Sequence, residues 1–201
     1  QACAKYRWGS NKLHDKTVLV QGYGRTGSAL CRLLTEQKAK VMVADIDGKA
    51  ARQAKGDGYE VVSHQEVYNT PCDIFAPCAI GPVIHRDTAR RLKCAIVAGT
   101  ANNQLLQEDD DQLLKKRNIL YAPDFIINAG ALIDVAEEYG DYNPDKVAHQ
   151  TEQIYDRLLF IFRQAEKKRQ SVNQTAVEYA LKRIETIKSV KGIFHRKDNI
   201  R

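Results

Sequence analysis

Residues 16–45 constrain the fold of this chain more than any other stretch, because they place a glycine-rich loop between two strand-like runs. The run at 17–20, Thr-Val-Leu-Val, has the β-branched, apolar character of a buried parallel strand. Gly-Tyr-Gly-Arg-Thr-Gly follows at 22–27, then a helical pattern, and then a second apolar run at 41–44 that ends at Asp45. This order predicts a strand, a tight loop, a helix and a second parallel strand.

The three glycines of this loop have separate roles if a dinucleotide binds there. Gly22 would let the chain turn sharply, Gly24 would let the backbone approach a pyrophosphate, and Gly27 would let the helix pack close to the strand. The helix N-terminus would offer free N–H groups to the phosphates. Asp45 would accept hydrogen bonds from the adenosine ribose hydroxyls. The alternative is an ordinary strand–helix–strand turn that is closed by glycines.

The composition is that of a globular protein with room for one substantial core. With 201 residues, 43% hydrophobic and 28% charged, we expect one domain plus an appendage. No apolar run reaches the length of a membrane span, and no signal peptide is visible. The five cysteines are odd in number and form no CxxC pair, which favours reduced thiols in a cytoplasmic protein without disulfides or a metal site. Because the sequence has no initial methionine, we expect a piece of a longer protein.

The net charge of +6 raises the question of nucleic-acid binding. All of the excess lies in residues 151–201, where 12 Lys and Arg side chains accompany 6 Asp and Glu side chains. These positive charges are spread along helical repeats and cluster only at Lys167-Lys168-Arg169 and Arg196-Lys197, where no aromatic residue is interleaved. The pattern favours a solvated helix face over a nucleic-acid partner.

The rest of the chain continues the alternation of short apolar strands with helices, with further strands predicted at 59–62, 73–76, 95–98 and 119–122. This alternation predicts the α/β class, as a Rossmann-type doubly wound parallel sheet with additional C-terminal helices. We expect three parts: the end of an interdomain helix and a linker at 1–15, a dinucleotide-binding Rossmann domain at 16–142, and C-terminal helices at 143–201.

Beyond the sixth strand the apolar residues repeat with helical spacing. Residues 126–139 predict one helix, and Asn143-Pro144 predicts the cap and first residue of the next. The stripe expected on that next helix is Ile154, Leu158, Ile161 and Ala165. Residues 171–174 resemble a capping box that opens a last helix, whose inner face we expect to contain Val172, Ala176, Ala180, Ile184 and Ile187. These helices either cover the sheet or reach back to a domain that precedes Gln1.

Three loops follow predicted strands at their carboxyl ends, where an open parallel sheet binds its ligands. They span residues 22–27, 77–82 and 99–104. The side chains of Asn102, Asn103 and Asn128 carry both donors and acceptors, which suit a ribose, a carboxamide or a substrate carboxylate. Paired asparagines are also common turn formers, so that alternative stays open. The histidines are scattered, and we assign none of them a catalytic role.

Four blocks, in this order and at these separations, make the chain resemble one enzyme family: GYGRTG, CDIFAPCAIG, VAGTANNQL and YAPDFIINAGALIDVAEEYG. The chain resembles the cofactor domain of the glutamate/leucine/phenylalanine/valine dehydrogenase family, and is most similar to its leucine dehydrogenase branch. The resemblance implies an NAD-dependent oxidative deamination, in which an L-amino acid is converted to a 2-oxo acid and ammonia.

The resemblance also implies roles for individual residues. The residues implied to bind NAD are Gly22, Tyr23, Gly24, Arg25, Thr26, Gly27, Asp45, Ile46, Cys78, Ala79, Ile80, Asn102 and Asn128. The residues implied to contact the substrate are Asn103, Leu132 and Val135. The glutamate-specific branch tends to carry a small hydroxyl residue at the position of Val135, so valine there implies an apolar substrate such as leucine, valine, isoleucine or an aromatic amino acid.

The family's catalytic lysine and aspartate lie in an amino-terminal domain, and neither of their motifs occurs in this chain. The resemblance therefore implies that the chain binds NAD, lacks catalytic residues of its own, and works with a missing N-terminal domain in a protein that forms homo-oligomers. The alternative is a stand-alone dinucleotide-binding module with a regulatory or redox-sensing role. It predicts a gene that starts close to Gln1.

Overall fold

The computed structural model describes residues 1–197, with side chains described through residue 189. Its core is a six-stranded sheet with the order β3-β2-β1-β4-β5-β6, in which every pair of neighbouring strands is parallel. The strands are β1 Thr17–Gln21, β2 Lys40–Ala44, β3 Glu60–Val61, β4 Ile74–Pro77, β5 Ile96–Val97 and β6 Leu120–Tyr121. The predicted doubly wound α/β fold is confirmed, although β3, β5 and β6 are shorter than their apolar runs suggest.

Helices connect the strands and cover both faces of the sheet. They are α1 Ala2–Trp8, α2 Arg25–Glu36, α3 Gly48–Gly56, α4 Arg86–Arg91, α5 Asp111–Lys116, α6 Asp124–Ile127, α7 Gly130–Glu137, α8 Pro144–Lys168 and α9 Val172–Lys197. The predicted first helix ends at Gly9, whose φ of 74° is the left-handed conformation that glycine adopts easily at a helix C-terminus. None of the helices in the described part of the chain is both long enough and apolar enough to cross a membrane.

Alternating side chains of the strands supply two hydrophobic clusters, one on each face of the sheet. In β1, Val18 and Val20 belong to the first cluster and Leu19 belongs to the second. This alternation follows from the two-residue period of a strand. The first cluster also contains Leu158 and Phe162 of α8, which therefore covers that face together with α1. The rings of Tyr6 and Phe162 lie 4.9 Å apart between centroids.

The prediction of one helix over residues 126–139 is wrong, because the structure has α6 and α7 with a break at Asn128 and Ala129. Asn128 is the C-terminal cap of α6, with φ −101° and ψ 9°. Asparagine and glycine are weak helix formers, and Asn128 uses its side chain amide for a contact outside the helix. The spacing of the apolar residues predicts which face of the segment is buried, but it does not predict the break between the two helices.

The two C-terminal helices begin as predicted. The side chain of Asn143 accepts hydrogen bonds from the backbone N–H groups of Asp145 and Lys146, at 3.0 and 3.1 Å. The hydroxyl of Ser171 accepts one from the N–H of Gln174 at 3.2 Å. In α8, Leu158, Ile161 and Ala165 of the predicted stripe are buried.

The prediction for the inner face of α9 holds only for its first half. Ala176 is fully buried, and Val172 and Ala180 are half-buried. Ile184 and Ile187 are each 48% exposed, so the prediction that they face the protein interior is wrong for this chain. Helical spacing identifies an apolar face, but it does not reveal what covers that face.

Candidate functional site

The three predicted loops lie side by side at the carboxyl ends of β1, β4 and β5, which are neighbours in the sheet. The N–H of Cys78 donates to the carbonyl of Gln21 at 2.7 Å, and the N–H of Ala101 donates to the carbonyl of Pro77 at 3.0 Å. The strand order reverses between β1 and β4, because the chain first winds toward β3 and then toward β6. A crevice at this reversal is the usual ligand site of an open parallel sheet.

Two glycines of the first loop are required by the packing of the fold. Gly22 has a φ of 102°, and a Cβ placed on it would lie 2.8 Å from the backbone nitrogen of Ala79. A Cβ on Gly27 would lie 1.9 Å from the carbonyl oxygen of Gly22. The same holds in the third loop, where a Cβ on Gly99 would lie 2.1 Å from the carbonyl oxygen of Pro77. Backbones therefore touch backbones here, and no side chain fits between them.

Gly24 is different, because a Cβ placed on it would meet nothing within 4 Å. It is the N-terminal cap of α2, has an ordinary φ of −79°, and supplies no side chain to cap the helix. No side chain caps the first N–H groups of this 12-residue helix. Arg25 and Thr26, which follow it, are exposed. This is the arrangement that binds the phosphates of a ligand.

The carboxylate of Asp45 lies beside this loop at the end of β2. One of its oxygens accepts a hydrogen bond from the N–H of Tyr23 at 2.6 Å, and the other accepts from the N–H of Asp47 at 2.8 Å. These two bonds fix the orientation of the carboxylate and leave each oxygen a second lone pair. The next residue, Ile46, has a side chain that is 87% exposed.

Tyr23 is directed away from the crevice. Its ring is 5% exposed and packs at 5.8 Å from the ring of Tyr59, and its hydroxyl donates to Asp57 at 2.7 Å. Burial and the neighbouring carboxylate raise the pKa of this phenol well above its usual range. Only the backbone of Tyr23 is therefore available to a ligand in the crevice.

The second loop presents Cys78, Ala79 and Ile80 beside the glycine loop. Cys78 and Ala79 are half-buried, whereas the side chain of Ile80 is completely exposed. Burial raises the pKa of the Cys78 thiol, although hydrogen bonds with Thr100 counteract this in part. Near neutral pH, Cys78 is thus a neutral, packed side chain rather than an activated nucleophile.

The amides of the third loop meet the break between α6 and α7. The side chain nitrogen of Asn128 donates a hydrogen bond to the side chain oxygen of Asn102. Asn103 is exposed and adopts a left-handed φ of 53°, which asparagine tolerates better than most residues. The structure thus brings Asn102 and Asn128 together across 26 residues of sequence. Of the two adjacent asparagines, Asn103 therefore has the backbone conformation that is typical of a turn former.

Leu132 and Val135 lie on α7, with side chains 72% and 48% exposed. None of the described residues fully covers the face that these two side chains share. On its other side, α7 packs against α8, where a Cβ on Gly130 would touch the methyl group of Thr151 at 3.7 Å.

Gln104 is a buried residue of the third loop that sequence reasoning did not single out. It is fully buried, and its side chain nitrogen donates to the carbonyls of Gly99 and Ala101, at 2.9 Å each. Its backbone N–H donates to Asp124 at 2.8 Å, and its carbonyl accepts from the N–H groups of residues 83 and 84. Its place directly after the two asparagines in an otherwise apolar block was the available signal.

Among residues 1–189, no group of three or more histidine, cysteine, aspartate or glutamate side chains could hold a metal ion. The polar groups of the crevice include backbone N–H groups, the side chains of Arg25 and Thr26, the carboxylate of Asp45 and the amides of three asparagines. Such a set can bind phosphates, hydroxyls and carboxamides.

Comparison with known proteins identifies relatives of this chain. The family model for glutamate/leucine/phenylalanine/valine dehydrogenase matches residues 46–192, and a model for the TrkA-N domain matches residues 18–68. The chain is 40% identical to leucine dehydrogenase of Thermoactinomyces intermedius over 195 residues, which are 96% of this chain and 53% of that protein. It is 37% identical to phenylalanine dehydrogenase of the same organism over 196 residues, covering 96% of this chain and 54% of that protein.

A solved structure agrees with these matches. The crystal structure of L-tryptophan dehydrogenase from Nostoc punctiforme superimposes with a TM-score of 0.88 at 41% identity, covering 94% of this chain and 58% of that one. The chain thus spans about half the length of the curated relatives it matches. From the extent of the family match and the identity to these relatives, it follows that the chain belongs to the glutamate/leucine/phenylalanine/valine dehydrogenase family.

Proposed function

We propose that this chain is the NAD-binding part of an amino-acid dehydrogenase that converts an apolar L-amino acid to its 2-oxo acid and ammonia. The observation that carries the proposal is the open space at Gly24, at the uncapped N-terminus of α2, with the carboxylate of Asp45 beside it. The names of the relatives support the reaction class, because the proteins that this chain resembles over nearly its whole length are amino-acid dehydrogenases.

The residues of the crevice fit a dinucleotide. The first N–H groups of α2 would bind the pyrophosphate, and the missing side chain of Gly24 leaves the volume that it needs. The free lone pairs of Asp45 would accept the adenosine ribose hydroxyls. Ile46 and Ile80, exposed in the loops that follow β2 and β4 on either side of β1, would cover the adenine ring and bury apolar surface with it.

At the other end of the crevice, the paired amides of Asn102 and Asn128 would bind the nicotinamide-side ribose, and Asn103 would contact the substrate. NAD, when bound, supplies the acceptor for the hydride of the amino acid. The described residues of the crevice include no lysine that could polarise a substrate carboxylate. We therefore propose that a further part of the protein provides the catalytic lysine and aspartate, and that this chain alone binds NAD without turnover.

The variant Gly24→Val tests the site. Valine can adopt the backbone angles of Gly24, and its side chain enters space that is otherwise open, so the fold should persist while the pyrophosphate is blocked. We expect the affinity for NAD, measured by calorimetric titration, to fall by about 100-fold or more, which corresponds to roughly 2.7 kcal/mol.

Gly56→Val is the matched control, because Gly56 ends α3 and a Cβ there also meets nothing within 4 Å. It should bind NAD as the unmodified chain does. Normal NAD binding by the Gly24→Val variant would contradict the proposed site.

A cytoplasmic location and assembly into homo-oligomers remain predictions for the whole protein. The alternative of a stand-alone regulatory module also remains a prediction. The coding sequence upstream of Gln1 distinguishes this module from the enzyme. A catalytic domain encoded there supports the enzyme, whereas a start codon close to Gln1 supports the module.

A further inference from the structure

Two cysteines lie opposite each other at the amino ends of β4 and β5. An isolated bridge just before these two strands pairs Pro71 with Lys93, and it shares the register of the strands. This register places Cys72 directly opposite Cys94, and the N–H of Cys72 donates to the carbonyl of Lys93 at 3.0 Å. Neighbouring strands lie about 4.8 Å apart, which is within the range of Cα separations that a disulfide spans.

Both of these side chains lie on the same face of the sheet. Cys72 and Cys94 pack against the second hydrophobic cluster. The other three cysteines are on the opposite face, since Cys3 and Cys31 belong to the first cluster and Cys78 packs against it. The sheet thus lies between the pair and the other thiols. In the folded chain, Cys72 and Cys94 can form an intramolecular disulfide only with each other.

The two thiols contact each other near the surface of the protein. All five cysteines carry free thiols. A hydrogen bond with Cys94, together with burial, raises the pKa of the Cys72 thiol above its usual range. Both cysteines are only half-buried, and the residues that precede them, Pro71 and Lys93, are exposed. A small reagent can therefore approach this end of the sheet, which is opposite to the crevice.

We propose that Cys72 and Cys94 are a redox-active pair, which a small-molecule disulfide such as glutathione disulfide oxidises to an intramolecular disulfide. The thiolate of one cysteine attacks the small disulfide, which gives a mixed disulfide and releases one small thiol. The second cysteine then attacks the mixed disulfide and releases the other small thiol. Two electrons and two protons pass from the pair to the small disulfide, so the reaction balances.

The disulfide cross-links β4 to β5 and closes residues 73–93 into a covalent loop. This segment contains β4, the second loop of the crevice and α4. Oxidation thus ties down both ends of the segment, and reduction releases them. The inference goes beyond the proposed function and does not depend on it, because none of the residues named for NAD or for the substrate takes part in the disulfide.

The test is incubation of the folded 201-residue chain with glutathione disulfide, followed by mass spectrometry. We expect the chain to lose two hydrogen atoms without retaining glutathione, because the second thiol is already in contact with the first. Free thiols counted after denaturation should fall from five to three, and dithiothreitol should restore them. Digestion with trypsin and an aspartate-directed protease should give peptides linked through Cys72 and Cys94, since a cut before Asp73 separates Cys72 from Cys78.

Variants identify the thiols that react. Cys72→Ser and Cys94→Ser should each abolish the intramolecular disulfide and leave a single thiol that retains glutathione. Cys78→Ala is the matched control and should still form the disulfide, because Cys78 packs on the opposite face of the sheet. If a serine variant fails to fold, the peptides of the unmodified chain carry the test.

Three outcomes overturn the proposal. The first is a chain that keeps all five free thiols after the incubation. The second is a glutathione adduct that persists on the unmodified chain without an intramolecular disulfide. The third is a disulfide that joins any cysteines other than Cys72 and Cys94.

Discussion

The carboxylate of Asp45 lies where a ribose would meet the end of β2, and backbone amides hold both of its oxygens. The extra phosphate of NADP would be placed against this negative charge, whereas the free hydroxyl of NAD would donate to it. Lys49 and Arg52 of α3 are close in sequence and could offset the repulsion. The guanidinium of Arg52 lies near Gly48, where a Cβ would be 3.4 Å from it.

We expect the chain to bind NAD at least about tenfold more tightly than NADP, a difference of roughly 1.4 kcal/mol. Calorimetric titration with both cofactors measures the ratio. Asp45→Asn should reduce it, because the amide removes the repulsion, and Ile46→Ala serves as the control that leaves the charge in place. Equal or tighter binding of NADP to the unmodified chain would be incompatible with this role of Asp45.

Gln104 provides a second prediction at this scale. Gln104→Met preserves the approximate volume but leaves the carbonyls of Gly99 and Ala101 without their donor in a fully buried place. We expect the free energy of unfolding to fall by about 2 to 4 kcal/mol. Gln112→Met, at an exposed position of α5, should change it by less than about 0.5 kcal/mol. Urea denaturation of both variants measures the two free energies of unfolding. Equal values would show that the side-chain hydrogen bonds of Gln104 contribute little to stability.

The glycine loop and Asp45 could be predicted from the sequence, and Gln104 could not. A glycine that must turn or touch another backbone acts within a few residues of a strand end, so its position along the chain is informative. The side chain of Gln104 bonds the carbonyls of Gly99 and Ala101 in its own loop, whereas its backbone bonds residues 83, 84 and 124, which are distant in sequence. Its place directly after two asparagines is a local signal, but that signal does not reveal that the side chain is buried.

In the helices, too, features that depend on nearby residues were predictable, and features that depend on residues distant in sequence were not. The caps at Asn143 and Ser171 were predictable, because a side chain accepts from an N–H two or three residues later. The burial of each helix was not predictable from its spacing. Ile161 of α8 is fully buried and Ile184 of α9 is 48% exposed, although both lie on apolar stripes.

This pair allows a matched test of the same substitution in two helices. Ile161→Ala should destabilise the chain by about 2 to 5 kcal/mol, because it leaves a cavity in the core. Ile184→Ala should cost less than about 1 kcal/mol, since the side chain already contacts water. Thermal or chemical denaturation of the 201-residue chain provides both values. A large loss of stability with Ile184→Ala would indicate that this half of α9 is covered in solution.

The whole molecule presents an apolar face on α7 that the described part of the chain leaves exposed, and relatives about twice as long share its fold. We propose that the substrate side chain packs against this face, as the resemblance to the family implies. A glutamate carboxylate buried against Leu132 and Val135 would lose its hydration without gaining a partner, which costs several kcal/mol. An isobutyl or aromatic group would gain roughly 1.5 to 3 kcal/mol from burial.

We therefore expect the whole enzyme to have a higher kcat/KM for leucine, isoleucine, valine or an aromatic amino acid than for glutamate. Val135→Ser should lower kcat/KM for leucine by about tenfold, because a hydroxyl replaces an apolar contact. Val177→Ser, at a similarly exposed valine of α9, is the control and should leave it unchanged. An amino-acid panel assayed on the full-length protein gives both results, and a preference for glutamate would refute the assignment of an apolar substrate.

The reversal of strand order between β1 and β4 also affects how the domain is held together. The strands β3, β2 and β1 come from residues 17–61, and β4, β5 and β6 come from residues 74–121, so each half of the sheet is continuous in sequence. The two halves join along one strand pair, whose register runs from Val18 opposite Ile74 to Gln21 opposite Pro77. A dinucleotide held by loops from both halves would bridge this seam and would bind only when the seam is closed. The cofactor would therefore bind only the folded domain and connect its two halves. Raising the cofactor concentration would then raise the melting temperature of the domain through mass action.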